Sequence, residues 1–139
     1  MSNQTANPNP APHDASQPSG HPIASYAAFW PYYLREHGKP LTRAWHYLGT
    51  TLAIGCLVAL IITGDWRFLL AGLVSGYGPA WIAHFFVEKN RPATFKYPFW
   101  SLFSDFRMYG CFVTGSIGRE LQKAGVPVGV NPQQPAAIK

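Results

Sequence analysis

The chain contains 139 residues, of which 11 are Lys or Arg and 6 are Asp or Glu, so its formal net charge is +5. A chain of this length forms one domain at most. The basic residues do not cluster on one helix and match no nucleic-acid-binding motif, so we predict no nucleic-acid partner. Cys56 and Cys111 are isolated in apolar surroundings, which predicts two small buried side chains rather than functional thiols.

Both ends of the chain have compositions that do not build a hydrophobic core. Residues 1–22 contain Pro, Asn, Ser, Gln and Ala but no Lys or Arg, and the residues from Gly125 onward are rich in Pro and Gly. Segments of this kind bury too little apolar surface to offset the entropy lost on ordering. We therefore predict disordered tails over residues 1–22 and 123–139, and a membrane helical domain over residues 23–122.

The first predicted helix covers about residues 25–37. Aromatic residues recur along it at three- and four-residue spacing, which places them on one helical face. This composition and the short length predict an interfacial helix that lies along a membrane surface. Pro31 lies beyond the first turn, where proline removes a backbone hydrogen bond, so the helix either starts later or bends there. The residues of this face are Tyr26, Phe29, Trp30, Tyr33 and His37.

Two apolar stretches follow and predict a transmembrane hairpin. Residues 47–63 carry no charge over 17 positions, and residues 68–87 carry none over 20, which is long enough to cross a bilayer. A soluble bundle is the alternative, but neither stretch has the amphipathic period that such a bundle needs. We therefore predict an all-α, multi-pass integral membrane bundle of about four helices.

The basic residues lie asymmetrically about this hairpin. They precede the first stretch or follow the second, whereas the turn at residues 64–67 carries only Arg67, which Asp65 offsets. Because Lys and Arg accumulate on the cytoplasmic side, we predict that the N-terminus and the loop after the hairpin are cytoplasmic. The host would be a bacterial inner membrane or the endoplasmic reticulum. The flanking basic residues are Arg35, Lys39, Arg43, Lys89, Arg91 and Lys96.

Small residues and a proline shape the second apolar stretch. Gly72 and Gly76 have the spacing that permits close helix approach. Their partner would be either the preceding helix or a second copy of the chain, so intramolecular packing and a homo-oligomer both remain open. Pro79 predicts a bend before His84, because it frees the carbonyl of Ser75.

A fourth predicted element covers residues 98–121. It is aromatic and apolar but contains Asp105 and Arg107. Charges at mid-bilayer are costly and usually face a protein interior. The helix therefore either crosses the membrane with Asp105 turned inward, or rests at the interface with both charges in water.

The two histidines next to the hairpin are symmetrically placed. His46 and His84 each lie 19 residues from Asp65, so two helices would carry both imidazoles about 28 Å from the turn, close to the thickness of a bilayer core. His37 ends the aromatic helix near the same surface. Glu88 follows His84 by four residues and would share its helical face.

These residues predict a metal site on the cytoplasmic side of the membrane. Three imidazoles and a carboxylate without thiolate suit iron(II), zinc or manganese, and an open ferrous site is the usual arrangement for activating dioxygen. The alternative is that each histidine only packs or hydrogen-bonds at the interface and that Glu88 pairs with a surface cation. The predicted ligands are His37, His46, His84 and Glu88.

A combined pattern of short runs extends through the helical region. It consists of FWPYYLREH (residues 29–37), RAWHYLGT (43–50), GY (76–77) and AWIAHFFVEKNRPATF (80–95), followed by Pro98, Ser101, Leu102, Asp105 and Met108. Over about residues 26–121 this pattern resembles the membrane 2-hydroxy fatty acid dioxygenase family, whose fungal member acts in the metabolism of phytosphingosine to odd-numbered fatty acids.

This resemblance implies an enzyme that uses iron(II) and dioxygen to remove one carbon from a 2-hydroxy fatty acid. By position, His37, His46 and His84 would hold the iron, while Glu88 and Asp105 are added from geometry and burial alone. The substrate head would chelate the metal, and its alkyl chain would lie among apolar side chains and membrane lipid. Arg43, Arg91 and Tyr33 are the predicted substrate-binding residues, and Arg43 or Arg91 would offset the carboxylate charge.

Two other functions fit the same sequence. Two histidines on facing helices can ligate a b-type haem axially, which would make the protein an electron carrier. A non-catalytic membrane interaction module would use the polar cluster only to fix helix packing. A Soret band would favour the first, and unchanged function after replacing all three histidines would favour the second.

Overall fold

The computed structural model describes residues 22–128, and all regular structure in that range is helical. Most of both predicted tails, residues 1–21 and 129–139, lies outside the described residues. The described range holds five α-helices rather than about four: α1 (Tyr26–Glu36), α2 (Pro40–Thr63), α3 (Arg67–Ile82), α4 (Pro98–Val113) and α5 (Ile117–Lys123). A π-helical segment, Ala83–Glu88, extends α3, and a 3-10 turn, Ala93–Phe95, precedes α4.

Ser25 caps the N-terminus of helix α1, and its hydroxyl accepts a hydrogen bond from the amide of Ala28 at 3.3 Å. Pro31 is accommodated inside the helix. The aromatic face is buried within the protein, where it packs against α4, α5 and the residues after α5. This apolar cluster comprises Phe29, Trp30, Tyr33, Leu34, Ala93, Met108, Leu121, Ala124 and Val126.

Helices α2 and α3 form the predicted hairpin. Gly64 ends α2 with a φ of 68°, and its amide donates to the Leu60 carbonyl at 2.8 Å. Near the other end, Gly49 lets the helices approach closely, because a Cβ there would lie 3.0 Å from the carbonyl oxygens of Ser75 and Gly76. The glycine pair of α3 also faces α2, since a Cβ on Gly72 would lie 3.3 Å from that of Cys56. The small-residue spacing is thus used within one chain.

The hairpin helices have the length and composition of membrane spans. Helix α2 and the continuous helix Arg67–Glu88 are both long and apolar enough to cross a bilayer, and only 17% of each apolar window is buried. Large aliphatic side chains near the turn, including Ile61 and Ile62, are about three-quarters exposed. A contiguous apolar surface of this size indicates contact with a membrane or a partner.

The predicted element over residues 98–121 is divided in two. Gly115 adopts a φ of 73° after α4, and the amide of Ser116 donates to the Cys111 carbonyl at 2.8 Å. This is a Schellman arrangement, which ends a helix with a left-handed glycine. Gly125 ends α5 in the same way, and Val126 then folds back onto Leu121. The packed region therefore extends past the predicted boundary at residue 122.

Asp105 is turned inward from α4, as one of the two predicted alternatives required. Its carboxylate faces His46 of α2, with 18% of the side chain exposed. Helix α4 itself has 16 residues, just below the usual length of a membrane span.

Candidate metal centre

Three histidines from different elements converge at one end of the hairpin. His37 caps the C-terminus of α1, His46 lies in the second turn of α2, and His84 lies in the π-helical segment. Their ring centroids are 4.3, 4.7 and 5.3 Å apart, and all three residues are buried. The equal sequence distances from Asp65 therefore do bring His46 and His84 to one level.

The Nδ1 atom of each ring is held by an oxygen. His37 Nδ1 lies 2.6 Å from the Tyr33 carbonyl, His46 Nδ1 lies 2.9 Å from Asp105 Oδ1, and His84 Nδ1 lies 2.8 Å from Asn90 Oδ1. A carbonyl, a carboxylate and an amide oxygen only accept hydrogen bonds, so each Nδ1 carries the proton and donates it. In the neutral imidazoles every Nε2 is then a free acceptor.

The orientation of the Asn90 amide is itself fixed by a second carboxylate. Asn90 Nδ2 donates to Glu36 Oε2 at 2.7 Å, which leaves Oδ1 to face His84. Burial raises the pKa of Glu36 above its ordinary value, against the opposing hydrogen bond from Asn90. On the other side of the centre, the Tyr33 hydroxyl donates to Asp105. The rings of His84 and His46 are therefore each held by a chain of hydrogen bonds that ends on a residue of α1.

The three Nε2 atoms face one another at distances that fit a shared metal ion. His37 Nε2 lies 3.1 Å from that of His46 and 3.2 Å from that of His84. Two nitrogens bound at about 2.1 Å to one ion, at tetrahedral or octahedral angles, are about 3.0 to 3.4 Å apart. With their protons on Nδ1, these atoms cannot hydrogen-bond to each other. A buried polar atom without a partner costs about 1 to 3 kcal/mol, which a cation would relieve.

The protonation state of His37 is also the one that a metal ligand requires. Burial, reinforced by the neighbouring rings of His46 and His84, lowers the pKa of His37 well below its ordinary value of 6.5. The imidazole is therefore neutral at pH 7, as metal binding requires. Among the described residues, the group of His, Cys, Asp and Glu that could hold a metal ion consists of these histidines, whose ligand atoms all lie within 4.8 Å of one another.

Comparison with known protein families identifies the family of this chain. The family model described as 2-hydroxy-palmitic acid dioxygenase Mpo1-like matches residues 23–117. The chain belongs to this family. The matched range covers α1 to the start of α5 and so contains all three histidines of the centre. No curated protein and no solved structure matches the chain.

Glu88, the fourth predicted ligand, lies outside the group of three histidines. Its Oε1 atom accepts from the Thr42 hydroxyl at 2.7 Å and from the Lys39 amide at 3.1 Å, and its Oε2 atom lies 3.6 Å from Lys39 Nζ. The spacing argument assumed α-helical geometry. The segment is instead π-helical, and the polar contacts of Glu88 hold its carboxylate toward Thr42 and Lys39.

The predicted substrate-binding residues occupy three different environments. Arg43 Nη1 donates to the carbonyls of His37 and Gly38 at 2.8 and 2.7 Å, so it holds the α1–α2 connection. Arg91 is exposed on the loop after the π-helical segment. Tyr33 is 1% exposed, and its ring stacks on His37 with centroids 4.0 Å apart.

Three residues of the centre were missed by the sequence argument. Glu36 and Asn90 lie within the quoted family pattern but had no assigned role, and their contact joins positions 54 residues apart. Ser101 belongs to the quoted family pattern but had no assigned role. It lines a cavity of about 10 Å³ among the three histidines, and its buried hydroxyl has no hydrogen-bond partner. A cavity of this size holds about one small ion or water.

Proposed function

We propose that this chain is an iron(II)-dependent dioxygenase that removes one carbon from 2-hydroxy fatty acids at a membrane interface. The observation that carries the proposal is the convergence of three Nε2 lone pairs whose Nδ1 protons are all engaged elsewhere. The family match supports the substrate class, because the family description names 2-hydroxy-palmitic acid. Bound ferrous iron would supply Lewis acidity and redox chemistry with dioxygen that side chains lack.

The overall reaction balances with dioxygen as the sole oxidant. A 2-hydroxy acid and one O₂ give the acid that is one carbon shorter, together with CO₂ and water. The C1–C2 bond breaks, and C2 is oxidised to the new carboxyl group. No external reductant is needed.

The residues of the chain would hold and orient the reactants. His37, His46 and His84 would occupy three ligand positions of the ion, and its remaining positions would take a bidentate head formed by the substrate carboxylate and 2-hydroxyl. Ser101 offers a hydroxyl to that head, since it lacks another partner. Arg43 or Arg91 would offset the carboxylate charge from the surface side.

The same proposal places the protein in a membrane with the metal centre on the cytoplasmic side. The two hairpin helices expose most of their apolar surface, which a bilayer would cover. The end that carries the histidines also carries Lys39, Arg43, Lys89 and Arg91, while the turn carries Arg67 and Asp65. This distribution follows the positive-inside rule.

The alternative haem function fits the centre less well. Two axial histidines would place their nitrogens about 4 Å apart on opposite faces of a porphyrin, given iron–nitrogen bonds of about 2 Å. Here three rings enclose a cavity of about 10 Å³. A non-catalytic module would leave three buried acceptors without a donor, which favours the metal-binding function.

The test is metal analysis followed by an oxygen-uptake assay. Protein purified in detergent and loaded anaerobically with iron(II) should bind one ion per chain and convert 2-hydroxypalmitate to pentadecanoate with matched oxygen consumption. Zinc-loaded protein is the control, because zinc fits the same ligands but has no redox chemistry. Conversion by His46→Ala and His84→Ala at the wild-type rate would overturn the proposal, and a Soret band would favour the haem alternative.

A further inference from the structure

A long apolar groove begins at the metal centre and follows the hairpin toward its turn. It has a volume of about 320 Å³ and lies between α2, α3 and α4. On α2 it is lined by His46, Thr50, Ala53, Leu57 and Leu60, which recur at three- and four-residue spacing and therefore form one stripe along the helix. It is a groove and not an enclosed cavity, so a ligand in it would touch membrane lipid along one side.

The groove is continuous with the histidine centre. His46 and Asp105 line both the groove and the small cavity among the three histidines. At this end the walls are polar, and beyond Thr50 the α2 wall is aliphatic. A molecule with a polar head and one alkyl chain matches this change along a single path.

The length of the groove matches a fatty acid. His46 and Leu60 are 14 residues apart on one helix, which corresponds to about 21 Å. An extended alkyl chain advances about 1.25 Å per carbon, because its bonds of about 1.5 Å meet at tetrahedral angles. Sixteen carbons therefore span about 19 Å. Leu60 and Phe68 stand at the far end, beside the hairpin turn.

We propose that this groove binds the alkyl chain of the substrate and measures its length, with Leu57, Leu60 and Phe68 forming the distal end. The proposal rests on the proposed function for the identity of the head group. It adds the path of the chain and the residues that set the longest chain accepted. Substrate would enter sideways from the bilayer, through the open side of the groove.

Photo-crosslinking tests the path of the chain without turnover. Zinc-loaded protein in nanodiscs, in which the head group can bind but no turnover occurs, is labelled with 2-hydroxyhexadecanoic acid that carries a terminal diazirine, and then with the corresponding ten-carbon probe. The long probe should label residues near Leu57, Leu60 and Phe68, and the short probe should label residues near Ala53. Equal labelling of lipid-facing positions such as Ile61 and Val74 by both probes would overturn the proposal.

A matched pair of variants tests the measurement of length. Leu57 and Val58 are neighbours on α2 with 50% and 49% exposure, but of the two only Leu57 lines the groove. Leu57→Trp fills the groove about 16 Å from the level of His46, the span of about 13 carbons. The rate for the 16-carbon substrate relative to the 12-carbon substrate should fall about tenfold. Val58→Trp should leave that ratio unchanged.

The outcomes separate the two proposals. Suppose that the wild-type protein consumes oxygen with every chain length, and that Leu57→Trp leaves the ratio of the 16-carbon rate to the 12-carbon rate unchanged. This result would overturn the groove proposal and leave the dioxygenase proposal standing. Wild-type protein that consumes no oxygen with any of these acids would overturn the dioxygenase. The crosslinking pattern would then still decide whether the groove binds the chain.

Discussion

Asp105 of α4 accepts a hydrogen bond from His46 Nδ1 at 2.9 Å, although 59 residues separate the two in sequence. This contact keeps the proton of His46 on Nδ1 and away from Nε2, the nitrogen that faces His37. Carboxylates placed in this way raise the basicity of a ligating imidazole and fix its orientation. A charge is costly within an apolar helix, but the carboxylate of Asp105 has a hydrogen-bond partner because it accepts from His46.

Asp105→Asn should weaken metal binding, because an amide is a poorer acceptor and can turn its NH₂ group toward His46. Partners of ligating histidines typically contribute 10- to 100-fold in affinity. We expect a loss in that range when cobalt(II) binding is followed by its visible absorption. Asp65→Asn in the hairpin turn is the control and should bind cobalt normally. Wild-type affinity in Asp105→Asn would contradict the assigned role.

Asn90→Asp should disrupt the centre at pH 8, since a carboxylate would then stand next to that of Glu36 where the amide now donates at 2.7 Å. The second substitution Glu36→Gln should restore binding, because the new amide at position 36 can donate to the new carboxylate at position 90, which still accepts from His84. The measurement is cobalt affinity in both single variants and the double variant. Equal loss in Asn90→Asp and in the double variant would contradict the hydrogen-bond chain.

Ser101→Ala should raise the KM for the 2-hydroxy acid several-fold with little change in metal content, because the buried hydroxyl faces the cavity without another partner. Ser104→Ala is the matched control: Ser104 is equally buried on the same helix but is paired with the Tyr26 hydroxyl at 3.0 Å. Oxygen-uptake kinetics at varied substrate concentration separate KM from kcat. A loss of iron in Ser101→Ala would indicate a structural role instead.

Glu88→Gln should retain one metal ion per chain, because the carboxylate binds Thr42 and Lys39 and not the histidine group. The Lys39 pair is half exposed on the lysine side, so its loss should cost less than about 1 kcal/mol of stability. Metal analysis and thermal unfolding measure the two effects. A metal-free Glu88→Gln protein would restore the glutamate to the ligand set.

Gly49→Ala should destabilise the hairpin, because the new Cβ would lie 3.0 Å from two carbonyl oxygens of α3. Overpacking of this kind typically costs about 1 to 3 kcal/mol. Gly55→Ala on the same helix meets nothing within 4 Å and should be neutral or slightly stabilising. Thermal unfolding in one detergent compares the two variants. Equal melting temperatures would show that the helices can separate at no cost.

The sequence predicted the hairpin and the level of His46 and His84 because helical rise is a local and nearly constant quantity. It did not give the contacts of Glu88 with Thr42 and Lys39, because those contacts depend on how the hairpin helices pack against each other. The Glu36–Asn90 contact depends on how α1 lies against the loop after the hairpin. Only the tertiary arrangement brings those side chains together.

The break between α4 and α5 was closer to being predictable. Gly115 follows Thr114 at the end of an apolar run, and glycine just after a helix is a common stop signal. The apolar pattern continues through Ile117 and Leu121, and it favoured one uninterrupted helix over a break at Gly115. Both α4 and α5 contact α1, so the apolar surface predicted for one helix is divided between two.

The order in which the ligands occur along the chain sets when the centre can be completed. His37 precedes the long α2–α3 hairpin, His46 lies near its start, and His84 comes almost at its end. During synthesis, His37 and His46 would leave the ribosome before His84, which follows His46 by nearly forty residues. Full coordination can then form only after both hairpin helices exist and have folded back, so an ion captured by all three rings would mark a finished hairpin and fasten the amino-terminal helix to it.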